Sequence, residues 1–180
     1  MWRILGCMYR LLDLFCKAGG ATKGYQEAGF YVVGVDIEPQ PNYCGDEFIH
    51  ADALTFDLTG FDAYHASPPC PGYSTKTRDQ SRHPRLIGPV RERLTETGKP
   101  YVIENVDGAK GHMIGPVRLC GSSFGLRVRR HRWFETNWVF AGAACDHRWQ
   151  DADKRFRLYD HGRWFDSGIV HVFGTGGGKG

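Results

Sequence analysis

Apolar residues come in short bursts along the first two thirds of the chain, most closed by a glycine or an acid. Arg10-Leu11-Leu12-Asp13-Leu14-Phe15 reads as a buried strand, and Cys16-Lys17-Ala18-Gly19-Gly20 as a tight turn. A helix is predicted over 21–28, stopped by Gly29. Phe30-Tyr31-Val32-Val33-Gly34-Val35-Asp36 is an apolar, β-branched strand that ends in a carboxylate, and Glu47–Asp52 repeats that ending. A fourth strand, Asp62–Ala66, runs into Ser67-Pro68-Pro69-Cys70, where two prolines enforce a stiff, extended exit. The polar stretch Arg78–Pro84 reads as a mobile loop. Leu86, Val90, Leu94 and Thr97 fall at helical spacing before Gly98, and Tyr101–Val106 is a fifth strand. Strands alternating with helices predict an α/β fold: a doubly wound, mostly parallel sheet with a short C-terminal extension.

Composition narrows this little. The 180 residues, 41% of them hydrophobic, suit one domain with a full core, and no apolar run approaches membrane-spanning length. No signal peptide is read in the first ten residues. The six cysteines show no CxxC pair, which favours a reduced, cytoplasmic protein. Cys145-Asp146-His147 has the flavour of a metal ligand pair, but the sequence offers no second pair beside it, so no metal site is expected. Charge is uneven: residues 1–100 carry a net −1 and residues 101–180 a net +4. The excess gathers at Arg127-Val128-Arg129-Arg130-His131-Arg132, next to Trp133 and Phe134. That interleaving suggests an element anchored in the core that offers arginines to a polyanion.

Strand, glycine turn, helix, strand and terminal acid together make a nucleotide-binding βαβ unit. The turn lacks the GxGxxG spacing of a dinucleotide site, which leaves a nucleoside-bearing cofactor or an ordinary α/β core. Cys70, on a loop at the carboxyl end of a strand, sits where open α/β sheets place ligands.

Four strings in this order resemble the DNA cytosine-5 methyltransferase family: Asp13–Gly20, Ser67-Pro68-Pro69-Cys70, Glu104-Asn105-Val106 and Arg130-His131-Arg132. The resemblance implies a Rossmann-like, S-adenosylmethionine-dependent catalytic domain over 1–136. Residues 137–180 would be a short, incomplete target-recognition segment, without the final motif that completes the cofactor pocket. It implies that Cys70 adds to C6 of a flipped-out cytosine, that Glu104 hydrogen-bonds N3 and the exocyclic amine, and that Arg130 and Arg132 hold the loop or a phosphate and O2. For the cofactor it implies Phe15 and Ile37 on adenine, Ala18, Gly19 and Gly20 at the methionine end, Asp36 on the ribose and Asp52 on the adenine amino group, with Pro69 joining this pocket. Ser74, Arg127, Arg130 and Arg132 would face the nucleic acid. The expected partner is double-stranded DNA, in a restriction–modification setting within a bacterial or phage-infected cell. No membrane is expected, and the chain is expected to be a monomer, or to be completed by another chain. A binding module with weak turnover and an RNA cytosine-5 methyltransferase are the alternatives.

Lys17, Pro71 and Val128 depart from the family pattern. Lys17 stands where glycine is usual, and it reads either as a solvent-facing side chain or as a partner for the methionine carboxylate or for an acidic group on a modified sulfonium donor. Trp149, Phe156, Tyr159, Trp164 and Phe165 read as a small hydrophobic cluster or as a base-stacking surface.

Overall fold

The computed structural model describes residues 8–126 and 129–148. Arg127, Val128, the aromatic set from Trp149 to Phe165 and the glycine-rich end lie outside the described residues.

Five parallel strands form most of the sheet. β1 (Arg10–Leu14) lies between β2 (Tyr31–Asp36) and β4 (Ala63–Ala66); β3 (Glu47–His50) flanks β2, and β5 (Tyr101–Asn105) flanks β4. Two strands were not foreseen, β6 (Val117–Cys120) and β7 (His131–Thr136), and β7 runs antiparallel to β5. The full order is β3-β2-β1-β4-β5-β7-β6, a mixed seven-stranded sheet of the Rossmann-like class. β1 and β2 are apolar on both faces because both faces are covered: Leu11, Leu12, Leu14, Val32, Val33 and Val35 are all buried.

The helices are α1 (Thr22–Glu27) and α2 (Ile87–Glu96). α2 buries Ile87, Val90 and Leu94; of the predicted stripe, Val90 and Leu94 lie in it while Leu86 and Thr97 cap its ends. Gly98 follows it at φ 63°, as Gly29 follows α1 at φ 96°, both in the left-handed conformation that ends a helix. α1 is shorter than the predicted 21–28, and at six residues it is too short to serve as an anion site in its own right. β3 stops at His50 rather than Asp52, because the chain turns at Asp52, whose side chain accepts the Leu54 N–H at 2.9 Å. The stretch expected to be a mobile loop carries a 3₁₀ turn, Gln80–Arg82, capped by the Asp79 side chain.

The described residues fall into two compact units: 8–117 with 133–140, and 118–126, 129–132 and 141–148. The chain passes from residues of the second unit back into the first at Trp133. Among the described residues no helix is long and apolar enough to cross a membrane.

Candidate active site

The predicted site residues of the first unit gather at the carboxyl ends of the parallel strands. The first turn leaves β1 through Phe15 and Lys17, two non-glycine residues in the left-handed region at φ 59° and 48°. It is closed by Gly19 N–H donating to the Cys16 carbonyl at 2.9 Å and by Cys16 N–H donating to Val35 at 3.2 Å. Gly19 is packed: at φ 89°, a Cβ there would lie 2.8 Å from Cys44 Sγ and 3.1 Å from the Tyr43 ring. Gly20 is bare, with nothing within 4 Å of where its Cβ would be. The turn is thus braced by Tyr43, Cys44 and Thr22, yet open at Gly20, the property a backbone needs to take a ligand closely.

Asp36, at the end of β2, is 3% exposed and organises this turn. Its Oδ2 accepts the Lys17 N–H at 3.0 Å and its Oδ1 the Glu38 N–H at 3.0 Å. The Lys17 ammonium lies 2.7 Å from Glu38 and 3.7 Å from Asp36. Partial burial opposes its charge, but the Glu38 hydrogen bond and both carboxylates outweigh that and hold it above its ordinary range. Lys17 would have to leave these acids to reach a donor's carboxylate. Around the rim stand Ile37, 63% exposed although aliphatic, half-buried Phe15, exposed Ala18, and Asp52 in its exposed turn. An apolar side chain left in water beside carboxylates and an open glycine suits a nucleoside, with its flat base and hydroxyl-bearing sugar.

The next two strands carry Glu104 and lead into the Cys70 loop. In register, Ala66 of β4 lies opposite Ile103 of β5, so Ser67 and Glu104 leave the same edge as neighbours. Ser67 Oγ donates to Glu104 Oε2 at 3.2 Å, and the buried Asn105 amide donates to the Pro68 carbonyl at 2.9 Å. The Cys70 loop is therefore tied directly to the strand that bears Glu104. After Pro69 the chain turns tightly, Tyr73 and Ser74 N–H both donating to the Cys70 carbonyl at 3.0 and 2.9 Å. Tyr73 is buried, and its hydroxyl accepts the Ile87 N–H of α2 at 3.0 Å, which fixes the turn to the scaffold. Cys70 is a free, exposed thiol on this braced loop, as is appropriate to a nucleophile. Ser74 is half-buried, and its hydroxyl accepts the Lys76 N–H at 3.3 Å.

Behind Glu104 lies a hydrogen-bonded chain that sequence reasoning missed. Tyr25 Oη meets His65 Nδ1 at 2.9 Å, His65 Nε2 meets Ser67 Oγ at 2.9 Å, and Ser67 reaches Glu104. His65 is 2% exposed, and burial pushes it down to about 4, so the imidazole is neutral at physiological pH. Opposite it in the β1–β4 register is Asp13, 1% exposed. Burial pushes Asp13 up to about 7, despite a hydrogen bond from Thr22 Oγ at 2.6 Å; the charges of Asp36 and Glu104 push it the same way. The available signal was the polar His65-x-Ser67 spacing in a strand leading to the cysteine loop.

The second unit contains the remaining candidates. Arg130 immediately precedes β7 and Arg132 lies within it, its Nη1 donating to the His131 carbonyl at 2.9 Å. Arg127 lies outside the described residues. In this unit Cys145 and His147 are joined by Cys120 and His131, partners that sequence spacing did not reveal.

No protein-family model matches the chain. It is 29% identical over 120 residues to the type II methyltransferase M.AgeI of Thalassovita gelatinovora, covering 55% of this chain and 28% of that protein. The chain thus spans under a third of the length of the curated relative it matches. Among solved structures it is similar to the 1,6-didemethyltoxoflavin-N1-methyltransferase of Burkholderia thailandensis, with S-adenosylhomocysteine bound (16% identity, 73% of this chain and 71% of that one, TM-score 0.46). It is also similar to an RNA methyltransferase from Salinibacter ruber in complex with S-adenosylhomocysteine (16%, 73% and 84%, TM-score 0.44).

Proposed function

We propose that this chain is an S-adenosylmethionine-dependent cytosine-5 methyltransferase acting on DNA. The observation that carries the reading is the pairing of an exposed thiol, Cys70, with a strand-end carboxyl, Glu104, on adjacent parallel strands locked together by the Ser67–Glu104 and Asn105–Pro68 hydrogen bonds. The similarity to a type II methyltransferase supports the methyl-transfer class.

The pocket residues fit the cofactor. Gly20 leaves room at the turn, Phe15 and Ile37 offer apolar surface to adenine, and Asp36 and Asp52 end or follow the strands where ribose hydroxyls and an adenine amine would sit. When bound, S-adenosylmethionine supplies the electrophilic methyl group that C5 takes up. Everything else falls to the protein. The Cys70 thiolate forms a bond to C6, and the ring's electrons move toward N3, where Glu104 supplies a proton or hydrogen bond. Once C5 is alkylated its proton passes to solvent water, the Cys70–C6 bond breaks, any proton taken up at N3 returns to Glu104, and the thiolate and aromatic ring are restored. Because C6 is shielded in a base stack, the cytosine has to be extruded first. Arg130 and Arg132 are assigned to the nucleic acid in this scheme, and Ser74 to the closing loop.

The test is covalent trapping on a random-sequence duplex that carries 5-fluorocytosine. Fluorine at C5 cannot leave as the proton does, so the Cys70–C6 bond persists. A denaturation-resistant adduct that needs S-adenosylmethionine and disappears in Cys70→Ser is expected. Binding of both ligands without an adduct overturns the enzyme in favour of a binding module. An adduct with RNA alone overturns the DNA assignment.

A further inference from the structure

We propose that the second compact unit is held together by a structural zinc ion bound by Cys120, His131, Cys145 and His147. One ligand atom from each of these side chains lies within 4.8 Å of all the others. Cys120 Sγ is 3.4 Å from His147 Nε2, and Cys145 Sγ is 3.4 Å from His131 Nε2. Tetrahedral zinc, with Zn–S of about 2.3 Å and Zn–N of about 2.0 Å, places a sulfur and a nitrogen about 3.5 Å apart on its coordination sphere. Each thiol already stands beside an imidazole at that spacing. Two sulfurs and two nitrogens around one point is a zinc donor set. A two-iron cluster would need the cysteine pair and the histidine pair on different metals, which the mutual proximity of all four atoms disfavours.

Two further observations point the same way. Ser122 Oγ donates to Cys120 Sγ at 3.2 Å, a contact that orients the sulfur. The described residues of the unit also bury little apolar surface. Among its described residues Cys120 and Ser122 are the buried side chains, while Phe124 and Leu126 are 58% and 53% exposed. Among the described residues, Ser123 Oγ reaches the carbonyls of Ala143 and Ala144 at 3.1 Å each, and Arg129 reaches the His147 carbonyl at 3.3 Å. A closed four-ligand metal site would staple these described pieces together.

Binding replaces the two thiol protons, so a dication meets two thiolates and two neutral imidazoles and the centre carries no net charge. The basic character of the unit therefore stays with its arginines. His131 lies between Arg130 and Arg132, so fixing its imidazole also fixes the backbone that carries both.

The test uses the full chain, expressed in zinc-supplemented medium and purified without chelator. Elemental analysis is expected to give zinc equimolar with protein, and absorption at the zinc edge to give two sulfur and two nitrogen neighbours. Exchange for cobalt(II) is expected to produce thiolate charge-transfer bands and the intense d–d bands of a tetrahedral site. Cys145→Ala and His147→Ala should abolish these bands, while Cys44→Ser, outside the cluster, keeps them. Four results would each overturn the proposal: a metal-free chain that gives no cobalt bands, bound iron in place of zinc, a Cys120–Cys145 disulfide, or metal retained in both cluster variants. The edge spectrum of the wild type decides the ligand set even where a variant fails to fold.

Discussion

Replacing Asp13 by asparagine separates two buried groups whose proton preferences oppose one another. Folded Asp13 keeps its proton up to about pH 7, whereas an ordinary aspartate releases it near 3.8. Between those values the folded chain binds a proton that the unfolded chain has lost, so stability falls as pH rises. At about 1.4 kcal/mol per pH unit the loss amounts to about 4 kcal/mol by pH 8. His65 acts in the other direction. Its folded value is about 4 against an ordinary 6.5, so stability rises by about 3 kcal/mol over that interval. In the wild type the two nearly cancel, while Asp13→Asn leaves the rising His65 limb exposed. The decisive quantity is the stability of the variant minus that of the wild type, in which His65 and every group unaffected by the substitution drop out. It is expected to grow by about 4 kcal/mol between pH 4 and pH 8. Urea unfolding followed by tryptophan fluorescence reads this as a midpoint difference that widens by roughly 2 M. Any constant offset belongs to the amide itself, including its contact with Thr22. If the difference is the same at both ends of the range, Asp13 is ionised throughout and the reasoning fails.

Four other substitutions probe the site and its frame. Gly19→Ala meets both a positive φ and the Cys44 sulfur, so it is expected to cost roughly 2 kcal/mol and lower the melting point by several degrees; Gly20→Leu should leave melting within a degree or two, yet weaken S-adenosylmethionine binding at least about tenfold by calorimetry. Arg91→Ala strands the Glu135 carboxylate, which is 1% exposed, accepts from Arg91 at 2.5 and 2.8 Å and also accepts the Ile114 N–H; the expected loss is about 3 kcal/mol in denaturant unfolding, part of it recovered by adding Glu135→Gln. Lys17→Gly removes an exposed, solvent-screened ion pair and relieves a left-handed backbone by about 1 kcal/mol, so its unfolding midpoint should equal or exceed that of the wild type.

The parallel strands were legible because burial on both faces writes itself as a continuous apolar run, as in Leu11–Leu14 and Val32–Val35. α2 was legible from Leu86, Val90, Leu94 and Thr97, which recur at helical spacing. β7 was not. His131–Thr136 shows no clean alternation, and its buried acid, Glu135, is compensated by Arg91, 44 residues earlier on α2. A local pattern cannot register a charge neutralised from so far along the chain. For the same reason Cys145 and His147 looked incomplete as ligands, since Cys120 and His131 reach them only through the fold of the second unit. In the candidate site, Cys70, Glu104, Asp36 and the glycine turn were legible because each closes a strand. His65 and Ser67 were not, because their importance lies in whom they touch across β4 and β5.

That contact chain has a direction, and the direction follows from Glu104. Glu104 Oε2 is the acceptor, so Ser67 spends its hydroxyl proton on it. Ser67 Oγ then has lone pairs left for His65, whose Nε2 must carry the proton that it donates. A neutral imidazole has a single N–H, which leaves Nδ1 bare, and Tyr25 fills it as donor. Burial raises the Tyr25 phenol well beyond its ordinary range, so that donor does not lapse at any pH where the protein functions. Three donations therefore run one way and converge on a single oxygen of Glu104. A hydrogen bond of this kind is strongest to a charged acceptor, so the chain supports Glu104 best once its proton has gone. For a carboxyl proposed to protonate a ring nitrogen while Cys70 adds on the same base, that is the useful end of the reaction to support.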